Sequence, residues 1–248
     1  MMPHVDRGHQ PRMTILTPDQ LTGRASTHVR EVSALSCRLH PQAAEALIEL
    51  TARAAACDVD LVAVSGFRDF ERQLAIWNGK YRGERALLDR HGIPMDVRRM
   101  DEESIVRAIL EWSALPGASR HHWGTEVDVY DRAALPAGGT PQLTAAEYVR
   151  GGVFARLVEF LSANAARWGF FLPYDSDRGG VQPEPWHLSY APVATAALPA
   201  LTLDVLREAL VGVPLCGAAV VQRLLPEIHE RYVCRVAPVA SIPAARPS

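Results

Sequence analysis

The sequence predicts an α+β fold built on a small antiparallel sheet flanked by helices. Three observations predict it. Helical and strand-like segments intermix without the steady βαβ rhythm that a doubly wound parallel sheet requires. The six residues TEVDVY, 125–130, alternate strictly, with Thr125, Val127 and Val129 toward one side and Glu126, Asp128 and Tyr130 toward the other, as in a strand with two unlike faces. No glycine-rich nucleotide loop, neither G-x-G-x-x-G nor G-x-x-x-x-G-K-[ST], occurs anywhere in the chain.

Taken in order, residues 1–20 are polar, Pro-containing and aperiodic, which predicts a flexible N-terminal arm. HPQAAEALIELTARAAAC has Pro41 suited to a first helical turn and Leu47, Leu50 and Ala54 at helical spacing, with Ala43, Ala44 and Ile48 as neighbours. VDLVAVSGF reads as a buried strand ending at Ser65-Gly66, and DFERQLAIWNGKY begins a second helix just after Arg68. RGERALLDRHGIPMDVRRM is charged and interrupted by Gly92 and Pro94, which predicts an irregular insertion or lid before a helix in DEESIVRAILEWSAL.

After the TEVDVY strand, LTAAEYVRGGVFARLVEFLSANAARWG gives one or two helices and FFLPY a strand. A Gly/Pro-rich loop, DSDRGGVQPEPWHLSY, leads into another short strand. The expected organisation is therefore an arm over 1–20, one catalytic domain over 21–195, and a helical C-terminal extension over 196–248 with a frayed tail.

Composition narrows the function. The 248 residues are 48% apolar and 22% charged with a formal net charge of −2, ordinary for a globular chain, and no long basic block offers itself to nucleic acid or an anionic membrane. No apolar stretch is long enough to span a bilayer. The start, MMPHVDRGHQPRMTIL, lacks an apolar secretory core, so a cytoplasmic location is expected, or a periplasmic one if the true start differs. Cys37, Cys57, Cys216 and Cys234 lie far apart without a C-x-x-C. Free thiols are expected, with a Cys216–Cys234 bridge as the lesser possibility.

The chemistry concentrates in ASRHHWGTEVDVYD, 118–131. His121 and Asp128 are seven apart, with Gly124 between them to turn the chain from loop into strand. A catalytic zinc takes three side-chain ligands from histidine and carboxylate and leaves a fourth position for water. EPWH, Glu184 to His187, supplies a further histidine with a carboxylate three residues before it. His187 would complete a metal site at the sheet face, and Glu184 would take a proton from the water, whose pKa zinc lowers to about 7.

These residues carry a resemblance. S-x-H-x-x-G-x-x-x-D at Ser119, His121, Gly124 and Asp128, E-x-W-H at Glu184 to His187, and S-G-[FY]-R at Ser65 to Arg68 resemble, in that order over residues 35–193, the zinc D-alanyl-D-alanine carboxypeptidases and dipeptidases of VanY and VanX type. The resemblance implies Zn2+ held by His121, Asp128 and His187, Glu184 as catalytic base, and Arg68 stabilising the oxyanion. It also implies Ser119 and Gln73 as binders of the substrate's terminal carboxylate.

The implied partners are peptidoglycan stem peptides or muropeptides, and the implied reaction is removal of a C-terminal D-alanine, of D,D-type first and L,D-type second. An endopeptidase acting on other cell-wall amides, or a catalytically idle peptide-binding module, are the alternatives. Glu126 departs from the small residue usual at that place in the family. It is open between binding a substrate ammonium, holding a ligand histidine and being partly solvated. The basic run at Lys80, Arg82 and Arg85 is expected to border the cleft or to form a solvated face.

Overall fold

The computed structural model describes residues 15–239. Residues 1–14 of the expected arm and 240–248 of the expected tail lie outside the described residues. Within the described part, the arm ends earlier than expected. Thr17 caps α1 (Pro18–Leu21) in a capping box with Gln20, and Leu16 and Leu21 on either side of it are buried. Pro18, which reads as loop chemistry, is here a first-turn residue.

A short hairpin follows, β1 (Arg30–Val32) against β2 (Cys37–Leu39). Then comes α2 (Pro41–Ala55), which buries Ala43, Ala44, Leu47, Leu50 and Ala54 and leaves Ile48 exposed. The main sheet has four antiparallel strands in the order β3 (Leu61–Ser65), β6 (Glu126–Asp131), β8 (His187–Tyr190), β7 (Phe170–Phe171). Between β3 and β6 lie α3 (Phe70–Tyr81) and α4 (Glu102–Trp112). The expected lid carries a two-stranded hairpin, β4 (Leu87–Leu88) with β5 (Pro94–Met95), whose turn is closed by Asp89 accepting from the amides of His91 and Ile93.

The alternation of β6 sorts the molecule into two halves. Val127 and Val129, with Leu61 on β3 and Leu188 on β8, bury against α2 and against α6 (Ala155–Asn164). Their opposite neighbours Glu126 and Asp128 face the other way, toward the site. Tyr130 is the exception to the alternation, since its ring meets Phe154 of the rear core edge-on at 6.0 Å. Tyr148 of the short α5 (Ala145–Tyr148) joins the same aromatic group.

The helices beyond residue 195 do not form a separate extension. α7 (Ala191–Ala200), α8 (Leu203–Ala209) and α9 (Ala218–Ile228) place Ala197, Leu206, Val221, Leu225 and Ile228 in one core with Trp77 of α3 and Ile109 of α4. The Trp77 indole donates to Cys216 O at 3.0 Å, and Arg107 of α4 pairs with Glu227 of α9 at 2.8 Å. The apolar faces of α8 and α9 pack into this shared core. All four cysteines are free. Among the described residues no helix is long and apolar enough to cross a membrane.

Candidate active site

Two strands and one turn assemble the site. Asp128 on β6 stands directly across from His187 on β8, and Glu126 stands directly across from Ser189. Because side chains two apart share a face of a strand, all four residues project together. His121 arrives from the turn Arg120–Trp123, which ends at Gly124 with φ +68. A Cβ on Gly124 would stand 2.3 Å from Val29 and 2.9 Å from the His40 amide nitrogen, so both the left-handed conformation and the close approach require glycine. That turn is tied to the loop after β3. The His121 ring meets Gly66 O at 2.8 Å, the His122 ring meets Arg68 O at 2.6 Å, and the Arg68 amide donates to His121 O at 3.2 Å.

The carbonyl of Gly66 only accepts, so His121 Nδ1 carries the proton and Nε2 presents a lone pair toward Asp128 Oδ2, 3.4 Å away. Likewise His187 Nε2 lies 2.8 Å from Glu126 Oε2 and donates to it, which turns Nδ1 toward Asp128 Oδ1 at 3.4 Å and Glu184 Oε2 at 3.1 Å. Asp128 Oδ1 is buried and makes no hydrogen bond among the described residues. Three buried ligand atoms, one from each of His121, Asp128 and His187, lie within 4.8 Å of one another. Lone pairs converging on one point, with an orphaned carboxylate oxygen among them, fit a bound divalent cation.

The electrostatics agree. Burial, with Arg68 and His187 close by, holds His121 well below its ordinary value and so neutral. Burial pushes the Asp128 carboxyl up to about 6 against the pull of His187 and Arg68. The His187 ring is raised to about 10 despite burial, because Glu126, Glu184 and Asp128 surround it, so a cation here would take the place of the Nδ1 proton and free that lone pair. The spot calls for positive charge.

Of the readings open for Glu126, the geometry selects the hold on a ligand histidine. Five donors converge on a carboxylate that is 0% exposed: His187 Nε2, Ser189 Oγ at 2.8 Å, Thr125 Oγ1 at 2.9 Å, and Arg120 Nε and Nη2 at 3.3 Å. Burial opposes its charge, but Arg120 and the His187 and Ser189 bonds outweigh it and hold the carboxyl at about 2.

A cavity of about 300 Å3 opens on His121, Asp128 and His187 and is lined also by Arg68, Lys80, Ser119 and Glu184. Arg68 is fixed by Gln73 Oε1 at 2.8 Å and Ser65 Oγ at 3.2 Å. Ser119 faces the cavity, and its hydroxyl makes no hydrogen bond among the described residues. Gln73 lies behind Arg68. It is 0% exposed, does not line the cavity, and spends its amide on Ala114 O at 2.7 Å while accepting from Arg68. From the inner face of α3 it supports the Arg68 guanidinium. The basic run divides in the same way: Lys80 lines the cavity, whereas exposed Arg82 is spent on Glu84 through two bonds of 2.6 and 2.9 Å.

Three further contributors surround the site, of which Arg120 and Tyr174 are absent from the sequence reading. Arg120, buried between the two ligand-bearing segments, neutralises Glu126; an arginine inside the motif beside an unexplained glutamate was the available signal. His122 locks the Arg68 loop, accepting from the Gly117 amide on its second nitrogen. Tyr174 packs edge-on against the His187 ring at 5.1 Å and lines the cavity, and nothing in FFLPY announces that contact.

Comparison with known proteins follows the same lines. The model of the family described as VanY, D-alanyl-D-alanine carboxypeptidase, matches residues 36–193. An uncharacterized protein of Haemophilus influenzae (strain KW20 / Rd) is 40% identical over 121 residues, 48% of this chain and 92% of that protein. A second uncharacterized protein of the same strain is 40% identical over 103 residues, 40% of this chain and 70% of its own. Among solved structures, a mutant of the vancomycin-resistance D,D-pentapeptidase VanY from a VanB-type cassette, in complex with Zn(II), is 21% identical. It covers 79% of this chain and 90% of its own, with a TM-score of 0.50. VanYB in complex with D-Alanine-D-Alanine is 20% identical and covers 85% and 94%, with a TM-score of 0.51. At these identities the structural likeness is one of fold.

Proposed function

The chain belongs to the VanY D-alanyl-D-alanine carboxypeptidase family, and from that premise we propose that it uses Zn2+ to release the C-terminal D-alanine of peptidoglycan stem peptides, the D,D bond of a pentapeptide first. As a member of that family it is a metallopeptidase. The observation that carries the proposal is the convergence of His121, Asp128 and His187 lone pairs at the cavity shared with Glu184 and Arg68. The family description supports the D-alanine specificity, and the His2Asp donor set suits zinc.

His121, Asp128 and His187 would hold the ion, which supplies Lewis acidity toward the carbonyl and an acidified water. Glu184, whose Oε2 lies 3.1 Å from His187 Nδ1, would serve as the proton carrier, its carboxylate accepting a proton from the attacking water and handing it to the leaving amine. Arg68, buried and braced by Gln73 and Ser65, meets the developing oxyanion with a charge already oriented before the reaction begins. Ser119 offers a free hydroxyl to the substrate from beside His121. Glu126 and Arg120 keep the His187 ring in the orientation that presents Nδ1.

The test is mass spectrometry of a muropeptide panel, with pentapeptide and tetrapeptide forms ending in D-alanine, with and without chelator. Chelator-sensitive loss of one alanine from the pentapeptide is expected. Loss from the tetrapeptide alone would make the enzyme L,D-specific. Cleavage of neither, with metal bound, would turn the reading toward internal cell-wall amides or peptide binding.

A further inference from the structure

Of the 26 lysines and arginines in the chain, Lys80 is the only lysine. It does not sit on a solvated face. It projects from the last turn of α3, one turn beyond Ile76, into the cavity that the metal ligands share. Its ammonium donates to Ser113 Oγ at 2.6 Å and forms no ion pair among the described residues. An ammonium has three donors, and that hydrogen bond uses one.

The neighbouring charges do not answer it either. Arg85 runs alongside, its Cδ 3.2 Å from where a Gly79 Cβ would stand, and Arg68 lines the same cavity. Two guanidiniums and one ammonium thus gather near two carboxylates, Glu184 and Asp128, both of which the proposed chemistry already uses. A half-buried cation without a counter-ion is costly unless something supplies the charge. Burial, helped by Arg68 and Arg85 and opposed by Glu184, pulls the Lys80 amine down to about 8. The residue type is also informative, because lysine is a compact charge on a flexible stem while arginine is a rigid fork. In a chain that otherwise uses arginine throughout, this position takes the group that fits a confined wall.

We propose that Lys80, oriented by Ser113, is the substrate-carboxylate anchor of the cleft and takes the part that Gln73, spent on Arg68 and Ala114, does not perform. The C-terminal carboxylate of the departing residue is the favoured source, since a carboxypeptidase must read that group. A side-chain carboxylate of the stem peptide has the same chemistry. The inference rests on the proposed peptidase reading, and its test is arranged so that the two fail separately.

A single lysine makes the test selective, because amine acetylation by N-hydroxysuccinimidyl acetate can mark only Lys80 and the chain's N-terminus. The metal-loaded Glu184→Gln variant is labelled in the presence of a pentapeptide ending in D-alanyl-D-alanine, its C-terminal amide, or its side-chain amide, and Lys80 acetylation is read by peptide mass spectrometry. Protection by the free acid and not by the C-terminal amide assigns the terminal carboxylate. Protection lost only with the side-chain amide assigns the other source. In parallel, Lys80→Met is expected to raise KM about 10- to 100-fold with kcat little changed, the loss expected of one charged hydrogen bond, and Lys80→Arg is expected to recover part of it. An unchanged KM in Lys80→Met overturns the proposal whatever the labelling shows. If the wild type cleaves no stem peptide, the peptidase reading fails, while protection of Lys80 by carboxylate peptides still decides the anchor.

Discussion

Glu126 Oε2 lies 2.8 Å from His187 Nε2, and this contact decides which nitrogen of the His187 ring faces Asp128. A carboxylate behind a ligand histidine fixes the ring and raises its basicity. Glu126→Gln is therefore expected to weaken metal affinity by about 10- to 100-fold while all three ligands remain. Competition with a chromophoric chelator measures it. An affinity equal to wild type would reduce Glu126 to a packing residue.

Arg120 and Glu126 are 3% and 0% exposed and pair at 3.3 Å. Removing one member of such a pair strands the other charge, at about 3–5 kcal/mol. Arg120→Met and Glu126→Gln are each expected to lower urea stability on that scale, and the double variant to lose less than their sum. Strict additivity in the cycle would mean that the two charges are independently solvated.

Glu184 approaches His187 Nδ1 at 3.1 Å but stands outside the three-ligand set. Glu184→Gln should keep stoichiometric metal and lose turnover by about 100-fold or more, the usual worth of a general base. His187→Ala should lose both. Metal analysis beside kinetics on the two proteins separates the roles, and full activity in Glu184→Gln would move the base elsewhere.

Gln73 braces Arg68 without reaching the cavity. Gln73→Leu keeps the volume and removes the brace, so kcat is expected to fall by up to about 100-fold through misplacement of the guanidinium, with KM nearly unchanged. A KM effect alone would return Gln73 to substrate binding.

The Lys80 amine, brought down to about 8 chiefly by burial, is charged below that pH and neutral above it. The charges that face it are Glu184, which favours the ammonium, and Arg68 and Arg85, which oppose it. Affinity for an anionic substrate is therefore present below about pH 8 and lost as pH rises through it, so kcat/KM should decline on the alkaline side. Lys80→Arg, whose charge persists, should straighten that limb. The same limb in both proteins would assign it to another group.

Much of the candidate site was legible in the sequence because its residues lie in short segments of fixed period. The alternation in TEVDVY puts Glu126 and Asp128 on one face, and EPWH puts Glu184 three residues before His187. What was not legible depends on register and on helix faces. Which residue of β8 lies opposite Asp128, and hence that Ser189 lies opposite Glu126, is not written in either strand alone. Gln73 and Lys80 are seven apart on α3, yet one is sealed against Ala114 and the other opens on the cavity. That difference comes from Ser113 and Ala114 crossing beneath the helix. The β1–β2 hairpin escaped because three-residue strands carry too little pattern.

The contribution of α8 and α9 to the core bears on how the protein can be divided. Leu206, Val221, Leu225 and Ile228 are sealed against the helices that carry Trp77 and Ile109, and burying one such side chain is worth about 1.5–3 kcal/mol. Four together rival the whole net stability of an ordinary domain, about 5–15 kcal/mol. The stretch that bears the chemistry is thus shorter than the core that stabilises it. A chain cut after residue 195 would retain His121, Asp128 and His187, and the helix that sets the wall of its cavity would lose the side chains of α8 and α9 that pack behind it.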